Sequence, residues 1–168
     1  MTKVILMMVM TADGKIAKTS AHFPDWGSSE DKKMFAKATK EAGVIIMGRN
    51  TFNTLPSPLP GRLNVVFTKD ANREAIPEVK WVTGEPEEVL SELEKTGYKT
   101  VILAGGAKIN TLFLEKNLID EIHLTIEPKI FGNGLGIFNG DFDLKLELIS
   151  VEKISNNSVL LKYKIQWK

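Results

Sequence analysis

A chain of 168 residues carrying 22 basic and 21 acidic side chains is almost neutral, which argues against a nucleic-acid or membrane-surface partner, since either calls for a basic stripe or patch. The absence of cysteine excludes disulfides, thiolate metal sites and thiol nucleophiles, and fits a reducing compartment. The length suits a single domain over residues 1–168, able to bury roughly two-thirds of its unfolded surface, with a small molecule as the expected ligand.

The first predicted element is a strand from Lys3 to Met10. Its apolar run is too short for a signal core or a membrane span, so it reads as a central strand buried on both faces of a cytoplasmic protein. A helix follows over Ser29–Ala42, with Ser28 as N-cap. Within it Met34, Phe35 and Ala38 lie three, four and seven residues after Asp31, placing an acid on the apolar stripe. Asp31 is then either a first-turn acid favoured by the helix dipole or a carboxylate placed for chemistry.

Next come a strand at Val44–Met47, a short helix at Asn50–Leu55, and strands at Leu63–Thr68 and Lys80–Thr83. A helix over Glu87–Thr96 has a solvated charged face, with Val89, Leu90 and Leu93 inward. It is followed by a strand at Lys99–Leu103, a helix at Ala107–Asn117 and a strand at Glu121–Ile126. Two alternating strands, Leu144–Ile154 and Ser158–Lys168, flank Asn156 and Asn157, a pair suited to the positive φ of a tight hairpin turn. Gly43, Gly61 and Gly97 fall where helices or turns close. The alternation predicts an α/β fold: a mostly parallel central sheet, helices on its faces, and a C-terminal antiparallel hairpin. His22 and His123 show no ligand spacing, Asp120 and Glu121 read as solvated acids, and no metal site is expected.

Ligands of open α/β sheets bind beyond the carboxyl ends of the strands. Three such junctions suit anionic groups: Gly48-Arg49-Asn50-Thr51, then Thr68 with Lys69, then Ala104-Gly105-Gly106 opening a helix at Ala107, Lys108 and Ile109. Singly, each can be a tight turn or a surface charge; together they suggest a dinucleotide. Neither the six-residue glycine fingerprint nor the triphosphatase phosphate loop is present, so another binding mode is implied.

The order and spacing of several motifs resemble the dihydrofolate reductase family along the whole chain. They are Trp26 five residues before Asp31, Phe35 one turn on, VIIMGRNT at 44–51, LPGR at 59–62, NVVFT at 64–68, AGG at 104–106, and Leu124-Thr125. The resemblance implies the three-layer fold of that family and NADPH-dependent reduction of dihydrofolate. It implies a catalytic centre of Asp31, Thr125 and Trp26, in which Asp31 binds the pterin amino group and ring nitrogen and Thr125 supports it. Met8, Phe35, Leu55 and Leu59 would contact the substrate, and Arg62 would grip the glutamate tail. Arg49, Thr51, Thr68 and Lys69 would hold the adenosine phosphate. Gly105 and Gly106 would hold the pyrophosphate, with Gly48, Asn50, Ala104, Ala107, Lys108 and Ile109 around it. Val9, Ile16 and Ala17 would lie near the nicotinamide, and the loop from Ala17 to Asp25 would form a lid. A monomer or a homodimer is compatible with the pattern.

The chain also departs from that pattern. ADGKIA at 12–17 and DEIHLTIEPKIFGNG at 120–134 resemble the reductase domain of riboflavin biosynthesis, which would imply a ribosylaminopyrimidine phosphate as substrate. Lys32 stands where an apolar pocket residue is expected, and Asn110 replaces an aromatic residue near the nicotinamide.

Overall fold

The computed structural model describes residues 1–70 and 72–167. In chain order the elements are β1 (Lys3–Thr11), α1 (Ser29–Ala42), β2 (Val44–Gly48), α2 (Arg49–Thr54), β3 (Leu63–Phe67), β4 (Val79–Val82), α3 (Pro86–Lys95), β5 (Thr100–Leu103), α4 (Ala107–Glu115), β6 (Glu121–Glu127), β7 (Lys145–Lys153) and β8 (Val159–Gln166). They build one eight-stranded sheet in the order β4-β3-β2-β5-β1-β6-β8-β7. Every pairing from β4 to β6 is parallel, and β8 is antiparallel to both β6 and β7, as the alternation of elements implied.

All five residues of β2 are buried, and their alternation divides the core into two layers. Val44 and Ile46 join Val89 and Leu93 of α3 and Phe113 of α4 on one face. Ile45 and Met47 point the other way, towards Phe35 of α1, Phe52 of α2 and Leu55. Each fully buried aliphatic or Phe side chain contributes about 1.5–3 kcal/mol. This two-sided burial makes the sheet a rigid platform whose strand ends hold the loops.

Element ends move by a residue or two from expectation, and two differences have physical content. β6 continues through Ile126 to Glu127, which brings a second acid to the same edge as Asp31. The β7–β8 hairpin is not a tight turn on positive-φ asparagines, because Asn156 and Asn157 both lack positive φ. Residues 154–158 instead form a longer connection, in which the Ile154 N–H donates to the Ser158 carbonyl. The Ser155 hydroxyl accepts from the N–H groups of Asn157 and Ser158. A side-chain turn thus replaces the backbone one. The expected end of the last strand at Lys168 lies outside the described residues. Asp120 and Glu121 are also engaged rather than merely solvated: Asp120 accepts the Val4 N–H at 2.8 Å, and Glu121 pairs with Lys3 and His123.

Candidate active site

Helix α1 delivers the acid. The Ser28 Oγ accepts the Asp31 N–H at 3.2 Å, an N-cap bond, and the helix ends on Gly43 in the left-handed region at φ 73°. Asp31 and Thr39 are the two buried residues of the helix and lie on one stripe, eight positions apart. The Asp31 side chain sits beside Gly27, where an added Cβ would come within 3.2 Å of its Oδ2 and 3.7 Å of Val9. Asp31 is only 9% exposed. Burial raises its proton affinity above the ordinary carboxylate range; a hydrogen bond from the Thr125 hydroxyl and the Lys32 charge oppose this, and the charge of Glu127 reinforces it. Asp31 is thus a first-turn acid, and the cap fixes a carboxyl that the fold then desolvates at the cleft wall.

Arg62 closes the same half of the cleft. It is 6% exposed, and no carboxylate lies within ion-pair distance of it among the described residues. Its Nε and Nη2 donate to the Pro60 carbonyl at 3.1 and 3.0 Å, and its Nη1 donates to the Thr39 hydroxyl. These bonds fix the guanidinium and leave two of its five N–H groups for an anion. Burial lowers its proton affinity somewhat, against the distant charge of Glu78. Between Asp31 and Arg62 the wall is apolar, made by Phe35, Ile45, Leu55 and Leu59.

The cleft as a whole has a volume of about 1330 Å³. A single-ligand pocket measures roughly 300–1,000 Å³, so this one has room for two molecules side by side. Its other half is formed by the three junctions beyond β2, β3 and β5. Gly48, Ala104, Gly106, Ala107 and Ile109 line it, together with Asn50, Thr51 and Thr68 and the cations Arg49, Lys69 and Lys108. None of those three cations has a salt-bridge partner among the described residues.

The glycines here sit in close packing. The Gly48 N–H donates to the Gly105 carbonyl at 2.8 Å, and a Cβ on Gly48 would meet Ile109 at 2.7 Å. A Cβ on Gly105 would meet Met8 at 3.1 Å, and one on Gly106 would meet the Thr51 hydroxyl at 3.3 Å. With Gly106 as an N-cap that has no side-chain bond, the first amides of α4 are left for an anion. Bare backbone, unpaired cations and a helix start fit a pyrophosphate-bearing cofactor.

The roof is the loop after β1. Ile16, Ala17, Thr19, Ser20, His22, Phe23 and Pro24 line the cleft. An isolated β-bridge pairs Ala17 with Leu135 and pins the root of this loop; the Ile16 N–H donates to Leu135 and the Leu135 N–H to Ala17. Asp13 strengthens the clasp by accepting the Phe131 and Gly132 N–H groups at 3.2 and 2.8 Å. The Phe131 ring receives the edge of Trp26 at 5.0 Å, His22 at 5.6 Å and the Lys18 ammonium at 5.3 Å.

Most of the residues singled out in the sequence thus meet in one cleft, Met8 and Val9 included. Trp26, Thr125 and Gly105 do not line it. Thr125 lies fully buried behind Asp31, Gly105 lies behind Met8, and Trp26 packs on Phe131 with its indole N–H buried and unpartnered. Sequence reasoning missed Thr39, which holds Arg62, and Glu127, which lies behind Asp31. The period of two along β6 signalled the second: Glu121, His123, Thr125 and Glu127 form a polar file on one face.

The dihydrofolate reductase family model matches residues 3–139, most of the chain and both halves of the cleft. The chain belongs to the dihydrofolate reductase family. A candidate dihydrofolate reductase of Caenorhabditis elegans is 32% identical, covering 95% of this chain and 86% of its own length. Among solved structures, RibD of Acinetobacter baumannii superposes with a TM-score of 0.86 at 17% identity, over 99% of this chain and 59% of that one. The dihydrofolate reductase of Enterococcus faecalis, solved with NADP(H), gives 0.77 at 18% identity over 98% and 97%. These two likenesses establish the fold alone; the family model and the Caenorhabditis elegans relative make the protein an oxidoreductase of the dihydrofolate-reductase-like superfamily. No helix among the described residues is long and apolar enough to cross a membrane.

Proposed function

We propose that the protein reduces 7,8-dihydrofolate to 5,6,7,8-tetrahydrofolate with NADPH. The observation that carries this reading is the pairing, across one apolar wall, of a buried carboxyl with raised proton affinity and a buried guanidinium that has no ion-pair partner among the described residues. A ligand with a cationic or amidine-like ring at one end and a carboxylate at the other answers both charges at once.

Arg49, Thr68 and Lys69 would hold the adenosine phosphate of NADPH. The Gly105-Gly106 turn and the start of α4 would hold its pyrophosphate, and Ile16 and Ala17 would flank its nicotinamide. When bound, the cofactor supplies the hydride. Asp31 accepts hydrogen bonds from the pterin amino group and adjacent ring nitrogen, and its charge stabilises the protonated C=N that accepts hydride. Phe35 and Leu55 sandwich the pterin and benzoyl rings, Arg62 fixes the tail, and the loop over Thr19–Pro24 excludes water.

A second reading, reduction of a ribosylaminopyrimidine phosphate, is favoured by the Asp13 clasp, which is built from the two stretches that resemble the riboflavin-pathway reductases. Arg62 would then bind a phosphate. The test is loss of NADPH absorbance with purified protein and each substrate in parallel. Turnover of dihydrofolate alone is expected; turnover of the pyrimidine alone would transfer the protein to the second reading.

A further inference from the structure

Glu127 ends β6 where that strand, the entry to β8 and the N-cap of α1 converge. It is 4% exposed. Its Oε1 accepts the Ser28 backbone N–H at 2.8 Å, and its Oε2 accepts the Ser158 hydroxyl at 2.6 Å. Ser28 is the residue whose Oγ accepts the Asp31 N–H, so a single residue links the Glu127 carboxylate to the backbone of the acid.

We propose that Glu127 is a positioning residue for Asp31: it fixes the helix turn that carries the acid and presents to it a permanent negative charge from behind. The inference rests on the reading of Asp31 as the acid of the pterin site.

Glu127 stays ionised in spite of its burial. Desolvation pushes its proton affinity up, but hydrogen bonds from Ser158 and Ser28 and the Lys129 charge bring it below the ordinary carboxylate range. Around Asp31 the other elements are electrostatically quiet. β1 offers apolar Val9, the segment before α1 offers Gly27 and Ser28, and β6 adds the neutral Thr125 hydroxyl. On its own helix only Lys32 opposes Glu127, and the Lys32 ammonium donates to the Asp25 carbonyl at 2.8 Å. The negative neighbour therefore makes Asp31 keep its proton to higher pH than it would with a neutral residue in that place. A proton-consuming reduction gains from this, because the protonated state of the acid and substrate pair persists closer to neutrality.

Glu127→Gln removes the charge and keeps the shape; its amide can still accept from Ser28 and donate to Ser158. With dihydrofolate and NADPH, the fall in turnover with rising pH should begin at lower pH in the variant. The rate near pH 7 should drop about three- to tenfold while the rates in acid coincide. Carbon-13 titration of the Asp31 carboxyl in the ligand-free protein should show its midpoint moved down. Glu127→Asp keeps the charge and should retain the parental profile.

An unchanged Asp31 midpoint in a folded Glu127→Gln protein would overturn the inference and leave Glu127 a purely structural cap. Should that variant not fold, the same titration of the parent decides: Glu127 must ionise below Asp31, and the reverse order is fatal to the proposal. Failure of the parent to turn over dihydrofolate, with the Asp31 midpoint still moved by the variant, would instead reject the substrate reading and keep the coupling.

Discussion

At the scale of single residues one half of the cleft rests on three charges held out of water, Asp31, Arg62 and Glu127. Asp31→Asn should keep the fold and cofactor binding yet cost about a hundredfold or more in dihydrofolate turnover near neutrality, with partial recovery in acid, as steady-state pH profiles would show. The same substitution should stabilise the ligand-free protein. Because folding raises the proton affinity of this carboxyl, its contribution to stability declines as pH climbs from the ordinary carboxylate range through the raised folded value. Asparagine escapes that penalty, so thermal unfolding at pH 7 should show a raised midpoint, a gain that fades in acid. Arg62→Gln should raise the KM for dihydrofolate about tenfold or more, since charge-assisted bonds contribute about 1.5–3 kcal/mol each, and leave NADPH affinity unchanged in direct titration. Lys69→Gln should weaken NADPH far more than NADH; equal weakening in paired titrations would remove the adenosine phosphate from this corner. Asp31 and Arg62 were legible in the sequence because each sits inside a short motif. Thr39 was not, because nothing local shows that a mid-helix hydroxyl eight residues on will meet an arginine from another loop.

At the scale of elements, capping and periodicity carried most of the information. Ser28 and Gly43 bound α1 as read, since both act through bonds to residues within a turn. The β7–β8 connection was misread because asparagine tolerates positive φ without requiring it, and the neighbouring Ser155 hydroxyl offered competing bonds. The clasp between the loop after β1 and residues 131–135 could not be read either, being a contact between irregular segments far apart in sequence. It gives a sharp test. A Cβ on Gly134 would lie 2.5 Å from the Ala17 carbonyl, a backbone atom with little room to retreat. Gly134→Ala should therefore break the bridge, speed proteolysis between Ala17 and Asp25, and lower kcat more than it changes thermal stability.

For the molecule as a whole, the two-sided core sets stability and the strand ends set function, so the two should separate experimentally. Phe113 is fully buried at the far face and stacks edge-on against Phe67 at 5.7 Å. Phe113→Ala should cost about 3–5 kcal/mol in denaturant unfolding while the pH profile of the surviving folded enzyme stays in place. The class of fold was visible in the sequence because helix and strand periods alternate. The order of strands was not, because β1 pairs with β5 and β6 through contacts that no local pattern encodes. That placement has a consequence for biosynthesis. The strand at the centre of the finished sheet leaves the ribosome before the other seven and waits, without either neighbour, until β5 and then β6 have been translated. The acid of α1 likewise gains Thr125 and Glu127 only when β6 emerges, and Ser158 later still. A nascent chain stalled before β6 therefore carries an exposed apolar strand and no assembled acid, a natural client for a chaperone that recognises extended hydrophobic segments.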